Sequence, residues 1–182
     1  MRIISGLFKG RKLQASSDLS IRPTTDRVKE YIFNVLQDFQ KDKNVVDIFS
    51  GSGNLGLEAL SRGSKHICFV DKNYSSIKIL TKNITHIGVD PDLYNILNLT
   101  AEEYILSDHS DRDLYFLDPP FIFPQLQSLI DNLTGSKYFK SENLIILEHE
   151  VINPIEKESG FYNILKQKKM GRSLISFLEK KV

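Results

Sequence analysis

Short apolar runs alternate along this chain with segments whose apolar residues recur at helical spacing. Five runs are nearly all apolar: NVVDIF (44–49), HICFVD (66–71), LYNILNL (93–99), DLYFLD (113–118) and NLIILEHE (143–150). The segments between them, such as YSSIKILTKNITHIG (74–88), repeat apolar residues every three or four positions. Apolar strands that alternate with helices predict a parallel sheet covered by helices on both faces.

The two ends of the chain depart from this alternation. Near the C-terminus, residues 163–169 and 173–181 predict two strands joined by Met170-Gly171-Arg172, and hence an antiparallel hairpin added to the sheet. Near the N-terminus, ISGLFKGRKL alternates apolar and polar residues around two turn glycines, which predicts a small β-ribbon. We therefore expect a single α/β domain over residues 1–182, with residues 1–22 as an N-terminal ribbon.

The composition is that of a soluble globular domain. Of the 182 residues, 41% are hydrophobic, and a single cysteine, Cys68, excludes an intrachain disulfide. No run of about 18 apolar residues predicts a membrane span. The N-terminus lacks the apolar core and small-residue cleavage site of a signal peptide. We expect a cytoplasmic protein.

The net charge of +1 conceals an uneven distribution. Residues 1–30 hold seven basic and three acidic residues, a net charge of +4, which leaves −3 for the rest of the chain. A basic segment on a mildly acidic body favours a polyanionic partner, although a solvated charged surface would give the same pattern. A second basic cluster has the same ambiguity and consists of Lys166, Lys168, Lys169 and Arg172.

A glycine-rich turn follows the first predicted strand. Gly51, Gly53 and Gly56 fit the pattern G-x-G-x-x-G between a strand and a helix, where glycines let the backbone approach a nucleotide closely. Asp71 ends the second strand 20 positions after Gly51, and a carboxylate there can accept hydrogen bonds from ribose hydroxyls. The turn therefore indicates a nucleoside cofactor, against the alternative of a tight turn without a ligand.

Asp47 distinguishes between two such cofactors. It lies on the first strand, four residues before Gly51. A carboxylate there would repel the pyrophosphate of NAD, and it would attract the ammonium and sulfonium groups of S-adenosylmethionine. The sequence thus favours S-adenosylmethionine over NAD.

The fourth strand ends in an acid, two prolines and an aromatic residue. Asp118 would lie at the carboxyl end of a strand next to the first, where ligands bind in such sheets. Pro119 and Pro120 lack N–H groups and stiffen the turn. A carbonyl of this turn and the Asp118 carboxylate could then accept both N–H groups of an exocyclic amine, while Phe121 stacks on the base. The pattern favours methyl transfer to an amino group, against the alternative of an ordinary turn.

Other polar residues give weaker indications. The four histidines, at positions 66, 86, 109 and 149, show no ligand spacing with each other or with Cys68, so we predict no metal site. Glu148 and Glu150 close the fifth strand, where solvation of a strand end is favoured over a place in the substrate cleft.

Several blocks of the sequence resemble a known family. DPPF (118–121) is similar to the [D/N]-P-P-[Y/F] motif of amino-group methyltransferases. ISGLFKGRKL, RPTTDRVKEYIFNVL, VVDIFSGSGNLGLEALSRG and FVDKN resemble consecutive blocks of the RsmD family, and the resemblance runs from Arg2 to the closing GRSLISFL. That family methylates the guanine N2 amine of 16S ribosomal RNA with S-adenosylmethionine. The resemblance implies a class I (Rossmann-like) methyltransferase fold and a ribosomal RNA substrate. We expect a monomer that acts on a small-subunit particle.

The resemblance also implies roles for individual residues. The catalytic motif would be Asp118, Pro119, Pro120 and Phe121, and the cofactor site would be lined by Asp47, Gly51, Gly53, Asp71 and Thr100. Thr100 departs from the family, which usually has an acidic residue beside the alanine near the adenine. The N-terminal ribbon and the RPTTDR segment would lie near the RNA, with contacts from Arg2, Lys9, Arg11, Lys12, Arg22, Thr24 and Arg27.

Two alternatives to this function stay open. A DNA adenine-N6 or protein-glutamine methyltransferase would share the chemistry, but such enzymes more often carry asparagine at the first motif position. A DNA enzyme also usually needs a separate target-recognition region, for which 182 residues leave little room. A non-catalytic RNA-binding protein of ribosome assembly would share the fold, but binding alone needs no carboxylate beside an anionic partner.

Overall fold

A seven-stranded sheet organises the chain in the computed structural model, which describes residues 1–15, 24–120 and 123–182. Its strands are β1 (Asn44–Ile48), β2 (His66–Val70), β3 (Tyr94–Leu97), β4 (Leu114–Leu117), β5 (Leu144–Glu150), β6 (Tyr162–Met170) and β7 (Ser173–Lys180). They lie in the order β3-β2-β1-β4-β5-β7-β6. Strands β1 to β5 are parallel to one another, whereas β7 is antiparallel to both β5 and β6.

Helices cover both faces of this sheet. They are α1 (Asp26–Leu36), α2 (Asn54–Ser61), α3 (Tyr74–Ile87), α4 (Ala101–Leu106) and α5 (Leu126–Gly135). In β1, Val45 packs in the core that contains Leu80 of α3, and the next residue, Val46, packs in the core that contains Leu129 of α5. The predicted α/β fold with a C-terminal antiparallel hairpin is confirmed. In the described ranges, no helix is long and apolar enough to cross a membrane.

The strand order places several predicted site residues together. β1 lies between β2 and β4, where the strand order reverses, and ligands bind at the carboxyl ends of strands at such a point. The register pairs Ile48 of β1 with Val70 of β2 and with Leu117 of β4. The glycine turn, Asp71 and Asp118, which follow these three strands, therefore leave the sheet side by side.

The predicted N-terminal ribbon is present in a reduced form. Within residues 1–15, one antiparallel bridge joins Arg2 and Lys12, and no strand is formed there. This segment is bonded to α2, because the carboxylate of Glu58 accepts hydrogen bonds from the N–H groups of Ile4 at 2.8 Å and Ser5 at 3.1 Å. Residues 16–22, the rest of the expected ribbon, lie outside the described residues.

A buried ion pair between α1 and α2 also fixes the same N-terminal segment. The ammonium of Lys29 in α1 lies 3.1 Å from Oε2 of Glu58, and it donates a hydrogen bond of 2.6 Å to the carbonyl of Arg2. Both charged side chains of the pair are fully buried. Burial lowers the pKa of Lys29, and the nearby charge of Glu58 opposes this shift. Removing one partner of such a pair typically costs about 3–5 kcal/mol, so the segment is held firmly against α1 and α2.

Thr25 caps helix α1. Its hydroxyl oxygen accepts a hydrogen bond of 3.3 Å from the N–H of Val28, as expected at a helix N-cap. The neighbouring hydroxyl of Thr24 is therefore available for another role.

Candidate cofactor and catalytic site

The turn between β1 and α2 requires its glycines for structural reasons. Gly51 and Gly53 have φ values of +54° and +84°, in the left-handed region that side chains rarely adopt. A Cβ on Gly53 would lie 2.4 Å from Cδ1 of Leu80, and a Cβ on Gly56 would lie 2.4 Å from Cε1 of Phe69. The sequence pattern is thus explained partly by the tight turn and by the packing of α2 and α3 against their neighbours.

Asp47 lies in β1 and contacts the start of α2. Its side chain is buried, with 2% of the residue exposed, and Oδ2 accepts a hydrogen bond of 2.9 Å from the N–H of Gly56. Burial raises the pKa of Asp47 to about 7, the Gly56 hydrogen bond opposes the rise, and the charge of Asp71 adds to it. A cation placed beside this carboxylate would favour its ionised form.

Asp71 joins the end of β2 to the glycine turn. Its two oxygens accept hydrogen bonds of 2.8 Å from the N–H groups of Gly51 and Asn73. Asn98, after β3, donates a hydrogen bond of 2.9 Å to the carbonyl of Asp71. A carboxylate oxygen accepts more than one hydrogen bond, so these contacts are compatible with the ribose contact predicted for Asp71, which stays a prediction.

Thr100 has a structural role at the start of α4. Its hydroxyl accepts a hydrogen bond of 3.1 Å from the N–H of Glu103, and its own N–H donates one of 2.8 Å to the Glu103 carboxylate. This reciprocal pair is a capping box. The cap accounts for a threonine before Ala101, and the adenine contact at Thr100 stays a prediction.

Asp118 follows β4 beside the end of β1. Its N–H donates to the carbonyl of Ile48 at 3.4 Å, and Oδ2 accepts a hydrogen bond of 2.8 Å from the hydroxyl of Thr24. Asp118 is half-buried, Pro119 is buried and Pro120 is exposed, so the chain runs outward from the sheet at this turn. Phe121, the last residue of the predicted motif, lies outside the described residues.

Carboxylates from three neighbouring strands influence one another at this edge of the sheet. Burial raises the pKa of Asp118 well above its ordinary value. The charges of Glu148 and Asp47 raise this pKa further, whereas the hydrogen bond from Thr24 opposes the rise. Negative charges held close together away from water favour a positively charged ligand. Within the described part of the chain, no group of three or more His, Cys, Asp or Glu residues could hold a metal ion.

The sequence favours solvated side chains for both acids at the end of β5, and this expectation is wrong for Glu150. This residue is 4% exposed and pairs with Arg172 at 3.1 Å. Glu148 is half-buried, accepts a hydrogen bond of 2.9 Å from the hydroxyl of Ser173, and acts electrostatically on Asp118. The reason is the hairpin, because β7 pairs with β5 and brings polar partners to both acids.

The predicted RNA-contacting residues fall into different environments. Five are exposed: Arg2, Lys9, Arg11, Lys12 and Arg27. Arg2 pairs with Asp26 at 2.9 Å. Thr24, in contrast, is only 5% exposed and is bonded to Asp118, so it belongs to the candidate catalytic site rather than to the basic surface. Arg22 lies outside the described residues.

Two asparagines that the sequence analysis did not single out hold the glycine turn. Nδ2 of Asn54, the first residue of α2, donates to the carbonyl of Thr24 at 2.9 Å. Nδ2 of Asn83 in α3 donates to the carbonyls of Ser52 at 2.9 Å and Gln14 at 3.0 Å. These contacts tie the turn to two points of the chain before α1, at Gln14 and Thr24, and no local sequence signal indicates them.

Comparison with known proteins identifies the family. A family model described as conserved hypothetical protein 95 matches residues 1–179. Two relatives are named ribosomal RNA small subunit methyltransferase D. The protein from Haemophilus influenzae is 34% identical over 94% of this chain and 89% of its own length. The protein from Escherichia coli strain K12 is 32% identical over 94% of this chain and 86% of its own length. The solved structure of the Escherichia coli protein yhhF has a TM-score of 0.86 and 30% identity, covering 100% of this chain and 98% of that one. The chain therefore belongs to this family, the RsmD family that its sequence blocks resemble.

Proposed function

We propose that this protein transfers the methyl group of S-adenosylmethionine to the N2 amine of a guanine in small-subunit ribosomal RNA. The observation that carries the proposal is the position of Asp118, a half-buried carboxylate at the switch point of the sheet, beside Asp47 and the glycine turn. The family relatives named ribosomal RNA small subunit methyltransferase D support the RNA substrate.

The acids around the glycine turn fit S-adenosylmethionine. Burial raises the pKa of both Asp47 and Asp118, so ionising them in the free protein is costly. A ligand with ammonium and sulfonium groups relieves this cost, whereas the pyrophosphate of NAD would increase it. Asp71, bonded to Gly51, lies where such sheets bind a ribose. When bound, S-adenosylmethionine supplies an electrophilic methyl group on sulfur.

Asp118 and the turn after it would hold the target amine. The exocyclic nitrogen of guanine is a weak nucleophile because its lone pair is delocalised into the ring. One N–H would donate to the Asp118 carboxylate and the other to the carbonyl of Pro119. The two bonds would keep the nitrogen close to tetrahedral and direct its lone pair at the methyl group. Positioning of this kind, in a site with little water, is the main contribution of the protein.

The Asp118 carboxylate could also accept the proton that the amine loses during the reaction. The nitrogen gains a methyl group and a positive charge, and it becomes neutral again when one N–H proton leaves. Burial and the charge of Glu148 raise the pKa of Asp118, so it accepts this proton more readily than an exposed carboxylate would. Stacking of the guanine on Phe121 would complete the site and stays a prediction.

The basic residues near the N-terminus would contact the RNA. Lys9, Arg11 and Lys12 are exposed, on a segment that Glu58 bonds to the domain. Cations on a fixed backbone can neutralise phosphates with little ordering cost. We therefore propose residues 1–22 as the RNA-contacting ribbon of a single domain, 1–182. We also propose that the enzyme acts in the cytoplasm as a monomer on a small-subunit particle.

Methyl transfer to purified substrates tests the proposal. The protein should transfer label from S-adenosylmethionine to small-subunit RNA, or to particles, from cells that lack the enzyme. Nuclease digestion should place the label on N2 of one guanine, and comparing free RNA with particles identifies the substrate form. Asp118→Asn, which keeps the size of the side chain, should transfer the label far more slowly than the wild type.

Other results would point to the alternatives. Label on an adenine of DNA or on a protein glutamine would retain the chemistry and replace the target. Tight RNA binding without any methyl transfer, by wild-type protein that binds S-adenosylmethionine, would favour a non-catalytic assembly protein.

A further inference from the structure

Thr24 lies between the two parts of the proposed site. Its hydroxyl donates a hydrogen bond of 2.8 Å to Oδ2 of Asp118, and its carbonyl accepts one of 2.9 Å from Nδ2 of Asn54. Asn54 begins α2 directly after the glycine turn. Both Thr24 and Asn54 are buried, with 5% and 8% exposure. Through these two hydrogen bonds, Thr24 links the start of α2, directly after the glycine turn, to Asp118 at the end of β4.

We propose that Thr24 is a positioning residue, which fixes the Asp118 carboxylate for methyl transfer and ties it to the glycine turn through Asn54. The proposal rests on the proposed function, in which Asp118 accepts a hydrogen bond from the target amine. By holding Oδ2, the Thr24 hydroxyl sets the rotation of the carboxylate, so that Oδ1 is the oxygen that meets the substrate.

The charges around Asp118 explain why a fixed donor is needed there. Burial and the negative charges of Glu148 in β5 and Asp47 in β1 favour the protonated form of the Asp118 carboxylate. A protonated carboxyl group is a poor acceptor for the amine. A hydroxyl that donates to the carboxylate favours the ionised form. Thr24, from the segment before α1, supplies that donor on the side of the glycine turn.

The hydroxyl of Thr24 is not needed to start helix α1. Thr25 is the N-cap, and its hydroxyl accepts from the N–H of Val28. A valine at position 24 would keep the shape of the side chain and the carbonyl that binds Asn54. The two adjacent threonines therefore allow the same substitution to be made at a site residue and at a helix cap.

The test compares single-turnover methyl transfer by Thr24→Val, Thr24→Ser and Thr25→Val at saturating S-adenosylmethionine, over a range of pH around neutrality. Thr24→Val should lower the rate about tenfold to a hundredfold, as expected for losing a hydrogen bond to a charged group. The acid limb of its pH–rate profile should move to higher pH, because Asp118 loses a donor to its ionised form. Thr24→Ser should restore most of the rate and the wild-type profile. Cofactor Kd should change little in all three variants.

The control separates positioning from stability. Thr25→Val should lower the melting temperature through loss of the cap but keep the wild-type profile. If Thr24→Val does not fold, Thr24→Ala carries the same test. A folded variant without the hydroxyl that keeps the wild-type rate and acid limb would overturn the proposal. Asp118→Asn, assayed in parallel, shows which idea fails. If the Thr24 variant keeps the wild-type rate and Asp118→Asn is inactive, only the role proposed for Thr24 is refuted. If Asp118→Asn is also active, the proposed mechanism is refuted as well.

Discussion

Replacing Asp47 by asparagine should stabilise the cofactor-free protein at neutral pH and weaken the binding of S-adenosylmethionine. The carboxylate is 2% exposed, and it contacts the N–H of Gly56 at 2.9 Å. Asparagine keeps an oxygen that can accept this hydrogen bond but does not ionise. The substitution therefore removes the cost of a buried charge while it leaves the packing of α2 on β1 in place.

The size of this effect follows from the pKa of Asp47, which burial raises from its ordinary value of 3.8 to about 7. A carboxyl group with a raised pKa binds more protons in the folded state than in the unfolded state. The folded state therefore loses stability as pH rises from about 4 to about 7, and loses no more above that range. At about 1.4 kcal/mol for each pKa unit, the full loss is about 4 kcal/mol.

Urea unfolding without cofactor, at a series of pH values, measures this loss directly. The free energy of unfolding of Asp47→Asn minus that of wild type should be near zero in acid, grow with pH, and level off near neutrality. Asp38→Asn removes a charge at an exposed position and should follow the wild-type curve. A difference that is flat across the range, or an Asp47→Asn protein less stable than wild type at neutral pH, would refute the reasoning.

Three further variants test the ribose contact, the basic surface and the catalytic motif. Asp71→Ala should weaken S-adenosylmethionine binding in calorimetry by about 1.5–3 kcal/mol, and unchanged affinity would place the ribose elsewhere. Alanine at Lys9, Arg11 and Lys12 together should reduce the salt slope of RNA binding by up to about 3 with the cofactor Kd unchanged, and an unaltered slope would indicate a merely solvated surface. Asp118→Asn should lower kcat about 10²- to 10³-fold in single-turnover assays, with a much smaller change in cofactor Kd, and near wild-type turnover would remove the carboxylate from the mechanism.

The fold was predictable because its local signals agree with its tertiary structure. Val45 and Val46 are both fully buried, on opposite faces of β1, which is why the strand reads as a continuous apolar run. Gly88 ends α3 with a φ of +73°, as its position after the last helical residue predicts. Once the strand order is known, the motif at Asp118 must lie beside the turn at Gly51.

The contacts within the site were not predictable, because they join segments far apart in sequence. Thr24 and Asp118 are 94 positions apart, and neither residue carries a local signal for the hydrogen bond between them. Glu150 looked solvated because its partner, Arg172, comes from the turn between β6 and β7. In the N-terminal segment, the N–H groups of Ile3 and Leu13 bond across the ribbon to the carbonyls of Arg11 and Met1. The N–H groups of Ile4 and Ser5 bond instead to Glu58 of α2, so the ribbon does not extend beyond one bridge.

In the proposed mechanism, the acids of the site would also connect cofactor binding with product release. In the free protein, burial favours the protonated forms of Asp47 and Asp118, and it is helped by the charge of Asp71 at Asp47 and by the charges of Glu148 and Asp47 at Asp118. S-adenosylmethionine carries an ammonium, a sulfonium and one carboxylate, a net positive charge that would offset this repulsion and draw both groups toward the ionised form that Asp118 needs as an acceptor in the proposed mechanism. Methyl transfer would remove the positive charge from sulfur, so the demethylated product, with one ammonium and one carboxylate, would offset less of the repulsion. In the proposed mechanism Asp118 becomes neutral when it takes the proton from the amine, so the buried charge left without a full counter-charge is that of Asp47, and it would favour release of the product.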